Sequence, residues 1–348
     1  MSQNYKFLLL AILLMFGPKT SFGQQDPMFT KYFFNTLNYN PGYAGSQEYL
    51  SGVLLAREQW VSFGRGLDNN GGAPSSQTLS IHAPFKKRLG IGINFSNDRV
   101  GSTRSNTISG IYAYKIPFGE AKLSIGISAG VTNWQADWND LVFRSPRSSD
   151  PVFAANVEPV WIPTVGTGLY FYHKFYYIGF STPRLFQYPL RNNNGPLADI
   201  IKSAQVYPHY FFTTGAAFRV RGDDIVFKPS LLIKNVGLFN QFSSTSQTGV
   251  LPIAAPTEFD IDLSLLFYEK MWVGLSFRSA FEHVFQGISS HDSADIWASF
   301  FLGNGLRLGM AYDFPVSELN NYTVGSFELM LGYDFDYKVK RVTTPRYF

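Results

Sequence analysis

The chain has no cysteine in its 348 residues. Disulfides, thiolate metal sites and cysteine nucleophiles are excluded outright. Long apolar runs are equally scarce. The one continuous stretch, Phe7 to Phe16, holds ten residues, half of the roughly 20 that a helix needs to cross a bilayer. Charge is thin: 16% of residues are Asp, Glu, Lys or Arg, against about a quarter in an ordinary soluble domain. No basic run suggests nucleic acid. Helical periodicity is absent beyond the first twenty-odd residues. The five histidines, His82, His173, His209, His283 and His291, lie far apart with no i, i+4 pairing of the kind that holds a metal. His291-Asp292-Ser293 has the residue types of a catalytic triad, but triads are assembled in space and not by adjacency. Gly64-x-Gly66 lacks the helix and lysine of a phosphate cradle. The sequence therefore points to no enzyme, no metal site and no cofactor.

What is abundant is aromatic: 17% of residues, with Tyr 20 and Phe 33, although mean hydropathy is near zero. Apolar and polar positions must interleave finely. At the N-terminus, Lys6 precedes the apolar run, and Ser21-Phe22-Gly23 supplies small residues before a cleavage point. This pattern predicts a secretory signal peptide over 1–23, cut near Gly23. Losing Lys6 and Lys19 with it takes the formal charge from +4 to +2 (4 − 2). An exported chain without a spanning helix can reside in a membrane only as a barrel.

From Leu50 onward the period is two. Leu123, Ile125, Ile127, Ala129 and Val131 alternate with Ser124, Gly126, Ser128, Gly130 and Thr132. Near the end, Phe327, Leu329, Leu331, Tyr333 and Phe335 alternate with Glu328, Met330, Gly332, Asp334 and Asp336. Successive strand side chains point to opposite faces, so each segment has one apolar face and one small or polar face. About fourteen such segments follow, many near the roughly 9–11 residues of a tilted transmembrane strand. Their cores are 50–62, 75–84, 88–98, 105–117, 120–133, 161–173, 174–182, 207–219, 225–236, 257–268, 270–280, 293–302, 304–314 and 324–337. Connections after even strands are short and those after odd strands are longer, as in outer-membrane barrels with short periplasmic turns and long outer loops. The predicted fold is all-β: a transmembrane antiparallel up-and-down barrel of about 14 strands over 50–337. Residues 24–49 precede it as a periplasmic strap or plug, and a basic tail, 338–348, follows.

A secreted β-sandwich or propeller also alternates, but its polar face is rich in Lys, Glu and Asp. Here that face is mostly Gly, Ser, Thr and Asn. Trp60, Tyr112, Tyr114, Trp134, Trp161, Tyr268 and Trp272 lie near strand ends and suit interfacial girdles. Arg57 and Glu58 are adjacent and cannot both face inward without a bulge, which places them near the outer rim. Alternation turns Lys228 and Lys234 into the lumen opposite Asp260 and Asp262, and Arg307 opposite Glu328. These charges either tie the wall together or form a surface for a substrate or partner.

The start of the mature chain is not a strand. It runs Gln24-Gln25-Asp26-Pro27-Met28-Phe29-Thr30-Lys31-Tyr32-Phe33-Phe34-Asn35, then Asn38-Tyr39-Asn40-Pro41-Gly42-Tyr43-Ala44-Gly45-Ser46. Further on come Arg57-Glu58-Gln59-Trp60, Gly72-Ala73-Pro74 leading to Gln77-Thr78, Asn97-Asp98-x-x-Gly101 and the closing Phe327 to Tyr333. This series resembles the PorP/SprF family of the type IX secretion and gliding machinery, with an inserted Arg65 to Gly71 stretch as a departure. The resemblance implies an integral outer-membrane component that binds type IX secretion partners, or a large secreted adhesin through its C-terminal domain. Its partner-binding or plug residues would be Asp26, Pro27, Phe29, Tyr32, Asn35, Asn40, Pro41, Tyr43, Ala44 and Gly45. Arg57, Gln59 and Trp60 would form a rim motif. Outer-membrane lipid is the other expected contact. A passive solute channel remains open at this stage, because a lumen of Gly, Ser and Thr would suit one.

Overall fold

The computed structural model describes residues 29, 31–47, 49–63, 72–137, 157–189, 205–236, 257–281, 291–303 and 305–335. The expected signal peptide, Asp26, Pro27, the Arg65–Gly71 insertion and the basic tail lie outside the described residues.

Fourteen strands form one antiparallel ring. In chain order they are β1 (Ser51–Glu58), β2 (Ser75–Lys86), β3 (Leu89–Val100), β4 (Thr103–Phe118), β5 (Ala121–Ala136), β6 (Val157–Tyr172) and β7 (Tyr176–Thr182). Then come β8 (His209–Ala216, resumed as Phe218–Arg221), β9 (Ile225–Val236), β10 (Glu258–Phe267), β11 (Met271–Ala280), β12 (His291–Phe301), β13 (Leu306–Pro315) and β14 (Ser326–Asp334). Each strand pairs with the next, and β1 pairs with β14 from Ser51↔Asp334 to Glu58↔Phe327, which closes the barrel. A separate two-stranded ribbon, Tyr188–Pro189 with Gln205–Val206, sits between β7 and β8.

The burial pattern settles which solvent the outside faces. On β14, Phe327, Leu329, Leu331 and Tyr333 are exposed while Ser326, Glu328, Met330 and Asp334 are buried. β3, β5, β10 and β13 likewise expose Ile91, Ile125, Leu263 and Met310. A soluble sandwich buries its large apolar side chains. Apolar residues outside and carboxylates inside are the arrangement of a barrel in lipid.

The strand ends differ from the sequence reading at a few places. β1 stops at Glu58, short of residue 62, because Trp60 and Ser62 take left-handed backbone angles (φ 51° and 73°). The released segment bonds to the outer end of β14 instead, Val61 N–H donating to the Gly325 carbonyl at 2.8 Å. β14 itself ends at Asp334. Among the outer connections, that between β3 and β4 is only Gly101-Ser102. Of the aromatics expected in girdles, Tyr112, Trp161 and Tyr268 are exposed, whereas Trp272 is buried in the lumen.

Candidate functional site: a strap across the lumen

The described part of 29–49 runs through the barrel interior and bonds to inward-facing groups on widely separated strands. Lys31 is fully buried. Its backbone N–H donates to Glu328 Oε1 on β14 at 3.1 Å, and its amine donates to Ser276 Oγ on β11. The same amine lies 3.8 Å from Asp262 on β10 and 4.0 Å from Asp295 on β12. Burial pushes the Lys31 amine below the ordinary lysine value, against the upward pull of Asp262, Asp295, Asp313 and Glu328. Tyr32 Oη donates to Ser230 on β9 at 2.9 Å, and Asn35 Nδ2 donates to Thr78 on β2 at 2.9 Å. A chain that touches β2, β9, β11 and β14 in five residues crosses the lumen.

Aromatic rings fill the space beside these bonds. Phe33 and Phe34 pack on Trp297 with ring centroids 4.6 Å and 5.4 Å away. Phe29 packs against Val53, Leu55 and Met330. Two short 3-10 turns follow, Thr36–Asn38 and Pro41–Tyr43. Asn40 fixes the second: its Oδ1 accepts from Gly42 N–H at 2.9 Å while its Nδ2 donates to the Leu169 carbonyl of β6 at 3.1 Å. Tyr43 then packs between His82 and Tyr170, each with ring centroids 5.3 Å away. Gly45 N–H donates to His82 Nδ1 at 3.1 Å, and its carbonyl accepts from Lys115. From there the chain descends through Tyr49 into β1.

The wall is cut to receive this path. A Cβ placed on Gly126 of β5 would sit 2.2 Å from the Pro41 carbonyl carbon, and one on Gly90 of β3 would sit 2.0 Å from the Ala44 oxygen. No side chain fits at either position while the strap is seated. The small inner face that would suit a water-filled channel is, at these points, a seat for backbone.

The strap divides the lumen in two. Above it, toward the outer strand ends, lies a cavity of about 120 Å³, whose walls include Asn94, Ser109, Thr164, Lys234, Asp260 and Arg278. Below it lies a second, of about 100 Å³, with His82, Tyr172, Trp272, Trp297 and Arg307. Asn35 and Leu37 line both.

The inward charges are all buried or nearly so, but their partners differ from those that alternation suggests. Asp260 holds Arg278 through two bonds, 2.7 Å and 3.1 Å. Asp262 accepts from Ser276 and from Trp297 Nε1, at 2.6 Å and 2.7 Å. Lys228 lies over the rings of Phe33 and Trp272, 4.6 Å and 4.9 Å from their centroids. Lys234 stands opposite Glu258 in the ladder. Arg307 does not meet Glu328: it donates to Asp334 and Ser51, both at 2.9 Å. Glu328 is instead engaged by Arg57 at 3.4 Å, which also pairs with Asp313 at 2.6 Å. Arg57, the last residue but one at the outer end of β1, therefore faces the lumen. Its neighbour Glu58 faces out and accepts from Ser75 at 2.7 Å. Sequence reasoning missed Lys31, Asp313, Asp295 and Arg278. Each sits at an inward-parity position, or in the strap beside the motif residues, so the signal was present.

The family model for the type IX secretion system membrane protein PorP/SprF matches residues 21–333. The chain belongs to the PorP/SprF family. No curated protein matches it. Among solved structures it is similar to the toluene transporter TbuX of Ralstonia pickettii, with 12% identity and TM-score 0.49 over 86% of this chain and 92% of that one. It is also similar to Omp33 of Acinetobacter baumannii, with 9% identity and TM-score 0.39 over 84% and 100% of the two chains. In this PorP/SprF barrel, Phe29, Tyr32, Asn35, Asn40, Pro41, Tyr43, Ala44 and Gly45 of the opening signature all lie in the strap. Gln59 and Trp60 lie just past the outer end of β1, where Gln59 N–H donates to the Pro74 carbonyl and Trp60 N–H to Ser326 Oγ.

Proposed function

We propose that this type IX secretion barrel is a non-catalytic accessory that binds a partner polypeptide and supports its secretion or surface attachment. The observation that supports this reading is the strap: Lys31, Tyr32, Asn35 and Asn40 are bonded to groups on the inner wall and occupy the lumen. A barrel crossed at mid-height by its own buried chain is poorly suited to passive solute flow, which counts against the channel alternative. The outer cavity and the long loops above it give a partner a place to engage, and the mature N-terminal segment acts as plug and docking element. The partner class that fits is a type IX component or the C-terminal domain of a large secreted adhesin.

A detergent pull-down of the tagged protein from its native outer membrane, read by mass spectrometry, tests the reading. Recovery of one large surface protein or of type IX machinery is expected. Recovery of the barrel alone, together with steady conductance in a planar bilayer, would replace it with the channel. In a deletion strain the matching adhesin is expected inside the cell or free in the medium.

A further inference from the structure

The cavity below the strap differs in chemistry from the one above it. Rings line it on several sides: Phe33 and Phe34 of the strap, Tyr172 and Tyr177 at the β6–β7 hairpin, and Trp272 and Trp297 of β11 and β12. Among the described residues that line it there is no Asp or Glu, whereas the cavity above holds Glu258 and Asp260. At its lower limit stand Tyr49 and Ser51 at the start of β1, His173 in the β6–β7 turn and Phe301 at the end of β12. The space therefore reaches the periplasmic ends of the strands.

Two polar side chains turn donors into this space. Ser51 on β1 pairs with Asp334 of β14 on one side and with His82 of β2 on the other. Arg307 reaches along that inward row. Its Nη2 donates to Asp334 and to Ser51, both at 2.9 Å, and its Nη1 has no acceptor among the described residues. The guanidinium thus ends one strand away from His82. That ring accepts at Nδ1 from Gly45 N–H, 3.1 Å away, so the proton of the neutral imidazole sits on Nε2. Nε2 likewise has no acceptor among the described residues. A buried donor without an acceptor is costly, and one anion between Arg307 and His82 would satisfy both. Lys228 of β9 lines the same cavity, with its amine over Phe33 and Trp272.

We propose that the lower cavity seats one aromatic carboxylate offered from the periplasm, with the acid group on Arg307 and His82 and the ring among the aromatic walls. A guanidinium and a second N–H donor suit a carboxylate, and a ring gains edge and face contacts from Tyr172 and Trp272. The volume of about 100 Å³ matches roughly seven to ten waters at ~10–15 Å³ each. That is as many heavy atoms as one ring with a short acid arm. An inorganic anion leaves the rings unused, and a neutral ring leaves the donors unmet. Two sources carry the matching chemistry: a free aromatic acid, and the carboxyl-terminal Phe or Tyr of a polypeptide.

The purified barrel in micelles is titrated calorimetrically with phenylacetate, phenylacetamide and hexanoate, and with a glycine-rich pentapeptide ending in Phe, as free acid and as amide. Empty micelles are the blank. A free acid with a ring is expected to bind, and its amide to bind about tenfold or more weakly, the loss expected for charge-assisted bonds. Hexanoate, which lacks the ring, should bind more weakly than phenylacetate. Arg307→Gln is expected to abolish the preference for acid over amide. Because that change also releases Asp334 and Ser51, its thermal midpoint is measured alongside. Ser299→Met, which fills the cavity from β12 without touching either donor, is the second variant and should weaken every ring ligand. Binding of phenylacetate alone assigns the seat to a small acid, and binding of the peptide alone assigns it to a polypeptide end. No binding at millimolar concentration, equal binding of acid and amide, or undiminished binding in Ser299→Met overturns the proposal.

Discussion

Replacing Gly126 by valine puts the seating of the strap to a direct test. The first added atom would lie 2.2 Å from the Pro41 carbonyl carbon and 2.3 Å from Gly42 N. Carbon atoms rest at ~3.5 Å or more, so the 3-10 turn must withdraw by at least about 1 Å. That shift strains or breaks the Asn40 bond to the Leu169 carbonyl, 3.1 Å long in the seated state, at a cost of about 1 kcal/mol. Overpacking adds about 1–3 kcal/mol. A combined penalty near 3 kcal/mol raises the unseated population by about two orders of magnitude. The assay is single-channel recording in a planar bilayer, with the wild type silent and Gly126→Val showing intermittent conductance. Gly110→Val is the control, because that glycine faces outward and its Cβ would meet nothing nearer than the Ala129 oxygen at 4.0 Å. Matching traces from wild type and Gly126→Val, with equal thermal midpoints, would refute the seated strap.

Lys31→Met leaves Asp262 and Asp295 buried without their cation, and loss of one member of a buried ion pair costs about 3–5 kcal/mol; urea unfolding in micelles should show it. Lys228→Met should cost less, about 0.5–2 kcal/mol, because that amine lies over two rings; a larger loss than at Lys31 would invert the assignment. Asp260→Asn with Asp262→Asn is expected to lower both the unfolding midpoint and partner recovery in the pull-down. A lower midpoint with full recovery would make these carboxylates struts of the wall and nothing more. Leu329→Arg, on the lipid face of β14, should destabilise by about 2–4 kcal/mol at mid-membrane depth; a neutral result in bilayer refolding would mean that this face does not contact lipid.

The barrel was legible because a two-residue period is a local property, visible at Leu123 to Thr132 without knowing any neighbour. Parity was legible too, even where it was misread. Val273, Leu275 and Phe277 take the lipid side of β11, which puts Trp272 inside with Gly274 and Ser276. Trp272 belongs to the lumen and not to a girdle for that reason. Register was not legible. Alternation says that Arg307 and Glu328 both face inward, but the hairpin sets Arg307 opposite Gly332 and Glu328 opposite Ala311, so Arg307 reaches Asp334 instead. Local composition also concealed the end of β1. Trp60, Val61 and Phe63 are good strand formers, and the turn is imposed by bonds from residues 323–326. The path of the strap was hidden for the most non-local reason, since Gly126 and Gly90 are intelligible only once Pro41 and Ala44 lie against them.

The strap and the wall are electrostatically incomplete without each other. Lys31 and Arg57 together face Asp262, Asp295, Asp313 and Glu328. Lifting the strap out removes the Lys31 amine and leaves Arg57, with Arg278 acting on Asp295 and Lys228 on Asp262, to offset these carboxylates, which are then opened to whatever fills the space. Water can rehydrate them, but the rings of Trp297 and Trp272, now packed on Phe33 and Phe34 or beneath Lys228, would be wetted at the same stroke. A ligand shifts an equilibrium only by its difference in affinity for the two states. A partner that displaced the strap from above would therefore have to bring a cation to the place of the Lys31 amine and aromatic surface to the place of Phe33 and Phe34. A partner lacking both could bind the outer cavity only with the strap in place, and the floor of its site would then be Leu37, Tyr39 and Pro41 of the barrel's own N-terminal segment.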